Sequence, residues 1–249
     1  GIAYVNGKVA FVEGALPGEV VTASYQTNRS QFAELKAIEV IKPSPERVEP
    51  PCTYAAICGG CSLQHLNNES QLLFKESVLL EQLEHVAGLQ AEKFTLLPKL
   101  QAKVLGYRRK ARLAARSVVK KGGVLVGFRE KNSGFIMDME SCKVLDDGVS
   151  CLINPLRQML TSLDASSGIP QIEVAVGDPD SETSEYKNIA LVFRHLHGLS
   201  DKDMRLMMDF GITNGVQIYL QPGGVDSVSK IFPAGEKSRL HYSLSDYSL

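Results

Sequence analysis

The sequence predicts a small β-barrel followed by an α+β domain built on a mainly antiparallel sheet. Three observations lead to this class. Short strands separated by turn residues fill positions 1–46, and Pro43, Pro45, Pro50 and Pro51 then break regular structure as a linker would. Beyond the linker, helical and strand patterns succeed one another as far as residue 220.

Taken in order, Ile2-Ala3-Tyr4-Val5 and Val9-Ala10-Phe11-Val12 flank Asn6-Gly7, a pair that tolerates the two positive φ angles of a type I′ hairpin. Gly14 and Pro17-Gly18 mark the next turns, and Val20 to Tyr25 and Phe32 to Ile41 read as two further strands. Asn67 or Asn68 can cap a helix in which Leu72, Leu79, Leu83 and Val86 recur at helical spacing, with Gly88 suited to its left-handed end. Tyr107 to Val119 and Val124 to Arg129, joined by Lys120-Lys121-Gly122-Gly123, form a β-hairpin. Val149, Leu152, Ile153, Leu156, Leu160 and Leu163 stripe a second amphipathic helix. Strands at Ile172 to Val176 and Ile189 to Phe193, a helix capped by Ser200 and a strand at Val216 to Leu220 complete a helix-on-sheet arrangement.

The 249 residues, 44% of them hydrophobic, suffice to bury roughly 70 to 75% of the unfolded surface without disulfides or metal. No apolar run approaches the ~20 residues that cross a bilayer, and Gly1-Ile2-Ala3-Tyr4 has no signal-peptide character, so a soluble cytoplasmic protein without a membrane partner is expected. Nothing in the sequence calls for an obligate protein partner. Trp is absent and aromatics are 7%, which argues against a groove lined by many stacking rings.

Five cysteines in such a chain point to metal or thiol chemistry before disulfides. Cys52 precedes Cys58-Gly59-Gly60-Cys61, where two thiolates two residues apart can face one centre and the glycines permit a tight backbone turn. Cys52 can fold back as a third ligand. A fourth must be Cys142, on a loop after an extended segment, or Cys151, whose place between Val149 and Leu152 reads as a core position. Spacing leaves an iron-sulfur cluster, zinc or unligated thiols open; a single C-x2-C unit with two outlying thiols is closer to iron-sulfur than to zinc ligation. His65 reads as a packing residue, and His195 and His197 as surface residues.

The formal net charge is -1, which by itself argues against a nucleic-acid partner. Its distribution argues the reverse. Lys103, Arg108, Arg109, Lys110, Arg112, Arg116, Lys120, Lys121, Arg129 and Lys131 stand against one acid, Glu130, so residues 103–131 carry +9 and the other 220 carry -10. Arg108, Lys110, Arg112 and Arg116 share even positions and therefore one strand face, with Tyr107, Leu113 and Ala115 on the other. Like charges at this density repel, and a polyanion relieves the repulsion while releasing counterions. Single-stranded or looped RNA suits a barrel and sheet better than duplex DNA, for which no recognition helix is evident. Nor does the chain hold a glycine-rich loop after a strand to cradle a phosphate or nucleoside.

Cys52-x5-CGGCSLQH ending at His65, GYRRKARL from Gly106 to Leu113, GFR at Gly127 to Arg129 and D-x-x-x-C from Asp138 to Cys142 together resemble the RNA (uracil-5-)-methyltransferases, most closely the 23S rRNA enzymes with an N-terminal TRAM domain. The resemblance covers nearly the whole chain. It implies a TRAM domain of OB type over residues 1–46 with its first strand missing, a central domain over 47–240 and the start of a linker at 241–249. It also implies a [4Fe-4S] cluster on Cys52, Cys58, Cys61 and Cys142, and 23S rRNA as the expected partner, with tRNA an alternative. The RNA would meet Arg108, Arg109, Lys110, Arg112, Arg116, Lys120, Lys121 and Arg129. The family's S-adenosylmethionine site, nucleophilic cysteine and base lie in a further domain with no counterpart here, so these residues should bind RNA without methylating it.

Overall fold

A computed structural model describes residues 1–178, 188–235 and 240–242; the segment expected to begin a linker lies, from residue 243 on, outside the described residues. Two compact units emerge, Gly1–Ala56 with Cys61–Gln101, and Ile57–Gly60 with Ala102–Leu249.

In the first unit, strands β1 (Ile2–Val5), β2 (Lys8–Glu13), β3 (Val20–Asn28) and β4 (Phe32–Lys42) form one sheet of order β1-β2-β4-β3. The β1–β2 hairpin turns at Asn6 and Gly7 with φ of 51° and 77°, as the type I′ expectation requires. β2 and β4 run parallel, and three register shifts between β3 and β4 bend that pair. The expected barrel is not closed: no pairing joins β1 to β3 among the described residues, because the four-residue β1 bonds to β2 alone. Its core is thin, built on Ala10, Val12, Ala33 and Leu35 with five small or β-branched neighbours. Helix α1 (Asn68–His85) begins where Asn67 Oδ1 accepts the Ser70 N–H at 2.9 Å. It buries none of its residues, so the expected leucine stripe finds no core within this unit.

The second unit is a six-stranded mixed sheet, order β10-β9-β8-β7-β5-β6, of β5 (Lys110–Val118), β6 (Gly123–Gly127), β7 (Gln171–Val176), β8 (Ile189–Arg194), β9 (Gln217–Gln221) and β10 (Ser229–Phe232). Only β8 and β9 run parallel. Buried Leu113, Ile172, Phe193 and Leu220 stand in register across four strands of one face. Helices α3 (Ile153–Ser162) and α4 (Asp201–Asn214) pack on that face. Ser200 caps α4 in a reciprocal capping box with Asp203, whose other oxygen accepts the Asp164 N–H at 2.7 Å. The single helix expected over 149–163 is two, with α2 (Asp147–Ser150) ending at Cys151. Cys151 is exposed, not a core residue. Two residues beyond Val149 lies about 200° around a helix, off the apolar stripe, and its thiol instead donates to the Gly148 carbonyl at 3.2 Å.

A buried ion pair fastens the linker to the first sheet. Glu19, its side chain wholly buried, accepts from Arg47 through both oxygens at 2.5 and 2.7 Å, and from the Leu16 and Ser44 N–H groups at 2.7 and 3.0 Å. Arg47 also reaches the Gly14 carbonyl at 2.7 Å, while its backbone bridges to Leu66. The Arg47 hydrogen bonds pull the Glu19 carboxyl down to about 2 against burial, which raises it. Because the folded value lies below the unfolded one, this stabilisation is present above pH 4.5 and is lost as pH falls toward 2. Arg47→Ala strands a buried carboxylate and should cost about 3 kcal/mol at pH 7. Urea unfolding followed by circular dichroism at pH 7 and pH 3 should show that deficit shrinking at the lower pH.

Candidate nucleic-acid interface and cysteine loop

Residues 57–59 add a short rung beside the chain that follows β6. The Gly59 N–H donates to the Arg129 carbonyl at 2.8 Å, Cys58 bridges Glu130, and the Lys131 N–H donates to the Ile57 carbonyl at 2.8 Å. This rung is why the CGGC loop needs glycines. Neither Gly59 nor Gly60 has positive φ, so the turn expected from sequence is not what selects them. A Cβ on Gly59 would lie 3.0 Å from the Arg129 carbonyl oxygen, and one on Gly60 would lie 3.1 Å from the Phe128 ring. The loop approaches the Arg129 backbone and the Phe128 ring that closely, so a side chain at either position would force one of these neighbours to shift.

Cys58 and Cys142 are both buried. The Gly60 N–H points at Cys58 Sγ at 3.4 Å, the kind of donor that stabilises a thiolate. Cys142 donates its N–H to Ser150 Oγ at 2.9 Å and sits on a segment laced to residues 106–108 by Gly106 N–H to Lys143 O and Arg108 N–H to Val144 O. Cys52 and Cys61 are half-buried, and none of the five thiols is in a disulfide. Among the described residues no three His, Cys, Asp or Glu side chains are grouped as a metal site.

The β5–β6 hairpin forms as expected, and β5 alternates as its sequence requires, with Lys110, Arg112 and Arg116 exposed and Leu113 and Ala115 buried. The cations are not equivalent, however. Arg112 is bound to Glu173, its cross-strand neighbour, at 2.8 Å. Arg109 pairs with Asp178 and lies over the Tyr242 ring, and the Asp178 hydrogen bond raises its pKa further. Lys121 holds Asp138 at 3.1 Å, and together with Arg157 keeps that carboxyl below the usual range. Arg108 stacks 5.5 Å from the Phe128 centroid, and Arg129 reaches the Gly134 carbonyl at 3.5 Å. Among the described residues Lys110, Arg116 and Lys120 have neither an acidic partner nor the ring or carbonyl contact that holds Arg108 and Arg129. The acids that neutralise part of the +9 segment come from β7, the stretch just after it and the segment before Cys142, all remote in sequence.

No family model matches the chain. Relatives named 23S rRNA (uracil(1939)-C(5))-methyltransferase RlmD do: the protein of Hahella chejuensis is 43% identical over 249 residues, all of this chain and 54% of the relative, and that of Nitrosococcus oceani is 45% identical over 243 residues, 98% of this chain and 52% of the relative. The chain thus spans about half the length of the relatives it matches. Among solved structures, the Pyrococcus abyssi tRNA (uracil-54, C5)-methyltransferase in complex with S-adenosyl-L-homocysteine shares the fold, with a TM-score of 0.56 and 21% identity over 97% of this chain and 50% of that one. No helix among the described residues is long and apolar enough to cross a membrane. Over its whole length, then, the chain is a homologue of the 23S rRNA (uracil-C5)-methyltransferase family, corresponding to about half the length of those proteins.

Proposed function

We propose that these residues are the RNA-gripping, cluster-holding portion of a cytoplasmic, S-adenosylmethionine-dependent 23S rRNA (uracil-C5)-methyltransferase. The observation that carries this is identity of 43 to 45% to the rRNA enzymes over essentially the entire chain. A tRNA substrate has less support, because the tRNA enzyme shares the fold at only 21% identity. In this reading residues 1–46 are a TRAM domain of OB type and 47–240 the central domain. Lys110, Arg116 and Lys120, the cations with neither an acidic partner nor a ring or carbonyl contact, hold phosphates, while Arg108, Arg109, Arg112, Lys121 and Arg129 set the shape of the surface around them. Gripping the strand on both sides of a target uridine supports its flipping into a catalytic site. S-adenosylmethionine would bind outside these residues, for among them the parallel pair β8 and β9 is joined through α4, which β8 enters by a turn with a single glycine, Gly198.

Cys52, Cys58, Cys61 and Cys142 would hold a [4Fe-4S] cluster. The donor set fits: four thiols outside disulfides, two of them buried and one already met by a backbone N–H, suit iron-sulfur ligation. When bound, the cluster supplies a structural crosslink and needs no electron transfer.

Two measurements test the proposal. Protein purified without oxygen should contain about four iron atoms per chain with broad absorption near ~400 nm, and Cys142→Ser should lose both; one zinc and no iron would replace the cluster with a zinc staple. A labelled 23S rRNA fragment should bind the 249-residue chain without acquiring a methyl group from radiolabelled S-adenosylmethionine, and methyl transfer would place the chemistry within these residues after all.

A further inference from the structure

Helix α1 is 18 residues long and buries none of them. A helix of that length gains little from its own hydrogen bonds in water, and in proteins its stability comes from packing an apolar face. α1 has such a face. Leu72, Leu79, Leu83 and Val86 lie within about 60° of one another around the helix axis, yet Leu79 is 52% and Val86 84% exposed. Glu76 stands on the same side and pairs with Lys99 at 2.8 Å. That pair ties down the stretch after α1, whose Leu96, Leu97 and Leu100 are 52 to 75% exposed. Helix and stretch both belong to the first compact unit, and its thin core, built on residues of the sheet, takes none of these leucines.

We propose that this apolar surface docks the half of a longer protein that the relatives possess and this chain does not cover. Two observations choose the occupant. The matches run through α1, so the relatives carry the helix inside the matched half and have about as much chain again to cover it. The charge of α1 disfavours the alternatives, because Glu69, Glu76, Glu81 and Glu84 stand against Lys75 alone. A second copy would bring the same acids face to face, and RNA would meet a helix of its own sign. The docked half should therefore present an apolar groove with basic residues at its rim. The proposal rests on the reading of this chain as a portion of a longer methyltransferase.

Hydrogen exchange read by mass spectrometry, on the 249-residue chain and on the full-length Hahella chejuensis relative, tests this. Residues 68–100 should exchange freely in this chain, and the matching residues of the relative roughly a hundredfold more slowly. Leu79→Glu with Leu97→Glu should leave the melting temperature of this chain unchanged, because neither side chain has a core to lose. Slow exchange in this chain alone, or a fall in its melting temperature on that double substitution, would overturn the proposal by showing that the face is already covered. Sedimentation as a dimer that the double substitution dissolves would give the face to a second copy instead. Equally free exchange in the full-length relative would leave the face without its occupant and overturn the proposal as well. Failure of the chain to bind RNA, with exchange as expected, would sink the RNA-gripping reading and leave the docking face standing.

Discussion

Strand alternation imposes the division on which this molecule is organised. Once Leu113, Ile172, Phe193 and Leu220 are committed to the helix-covered face of the second sheet, every residue one position away is committed to the other. Burying the apolar row yields ~1.5 to 3 kcal/mol for each large side chain, and a one-residue slip of β5 would forfeit its share and turn Arg112 and Arg116 into the core. The hydrophobic effect thus fixes where the charge goes. A line of cations that repel one another is held in place by the burial of their neighbours, and that stored repulsion is what a polyanion can relieve.

Much of this was legible in the sequence. The Asn6-Gly7 turn, the Ser200 cap, the β5–β6 hairpin and the inward residues of β5 all rest on local rules, and local rules held. Three features lay beyond them. The neutralisation of Arg109, Arg112 and Lys121 depends on Asp178, Glu173 and Asp138, partners that sequence order separates and only strand pairing or loop packing brings together. The exposure of Cys151 was available from helical geometry but was outweighed by its apolar neighbours. The four-residue β10, an edge strand next to Gly223 and Gly224, is too short to announce itself by periodicity.

The cysteine loop shows how one pattern can be right in its residues and different in its reason. Gly59 and Gly60 serve packing and not left-handed backbone: they let the loop lie against Arg129 and Phe128 and deliver an N–H to Cys58. The same two residues therefore join the candidate ligand loop to the end of the basic hairpin, and a side chain at either would push the loop away from it. Glu19 and Arg47 play a comparable part in the first unit, where a buried pair with four hydrogen bonds to one carboxylate secures a chain segment that has almost no apolar side chains to bury.

Whether segregated charge makes this chain an RNA-binding module is tested most directly by the salt dependence of its affinity. On the proposed reading, in which Lys110, Arg116 and Lys120 each hold a phosphate, changing the three together to Ala should reduce the magnitude of the slope of log K against log salt for single-stranded RNA by about 2, at roughly 0.7 per contact. A slope identical in the parent and triple-substituted chains would contradict the account.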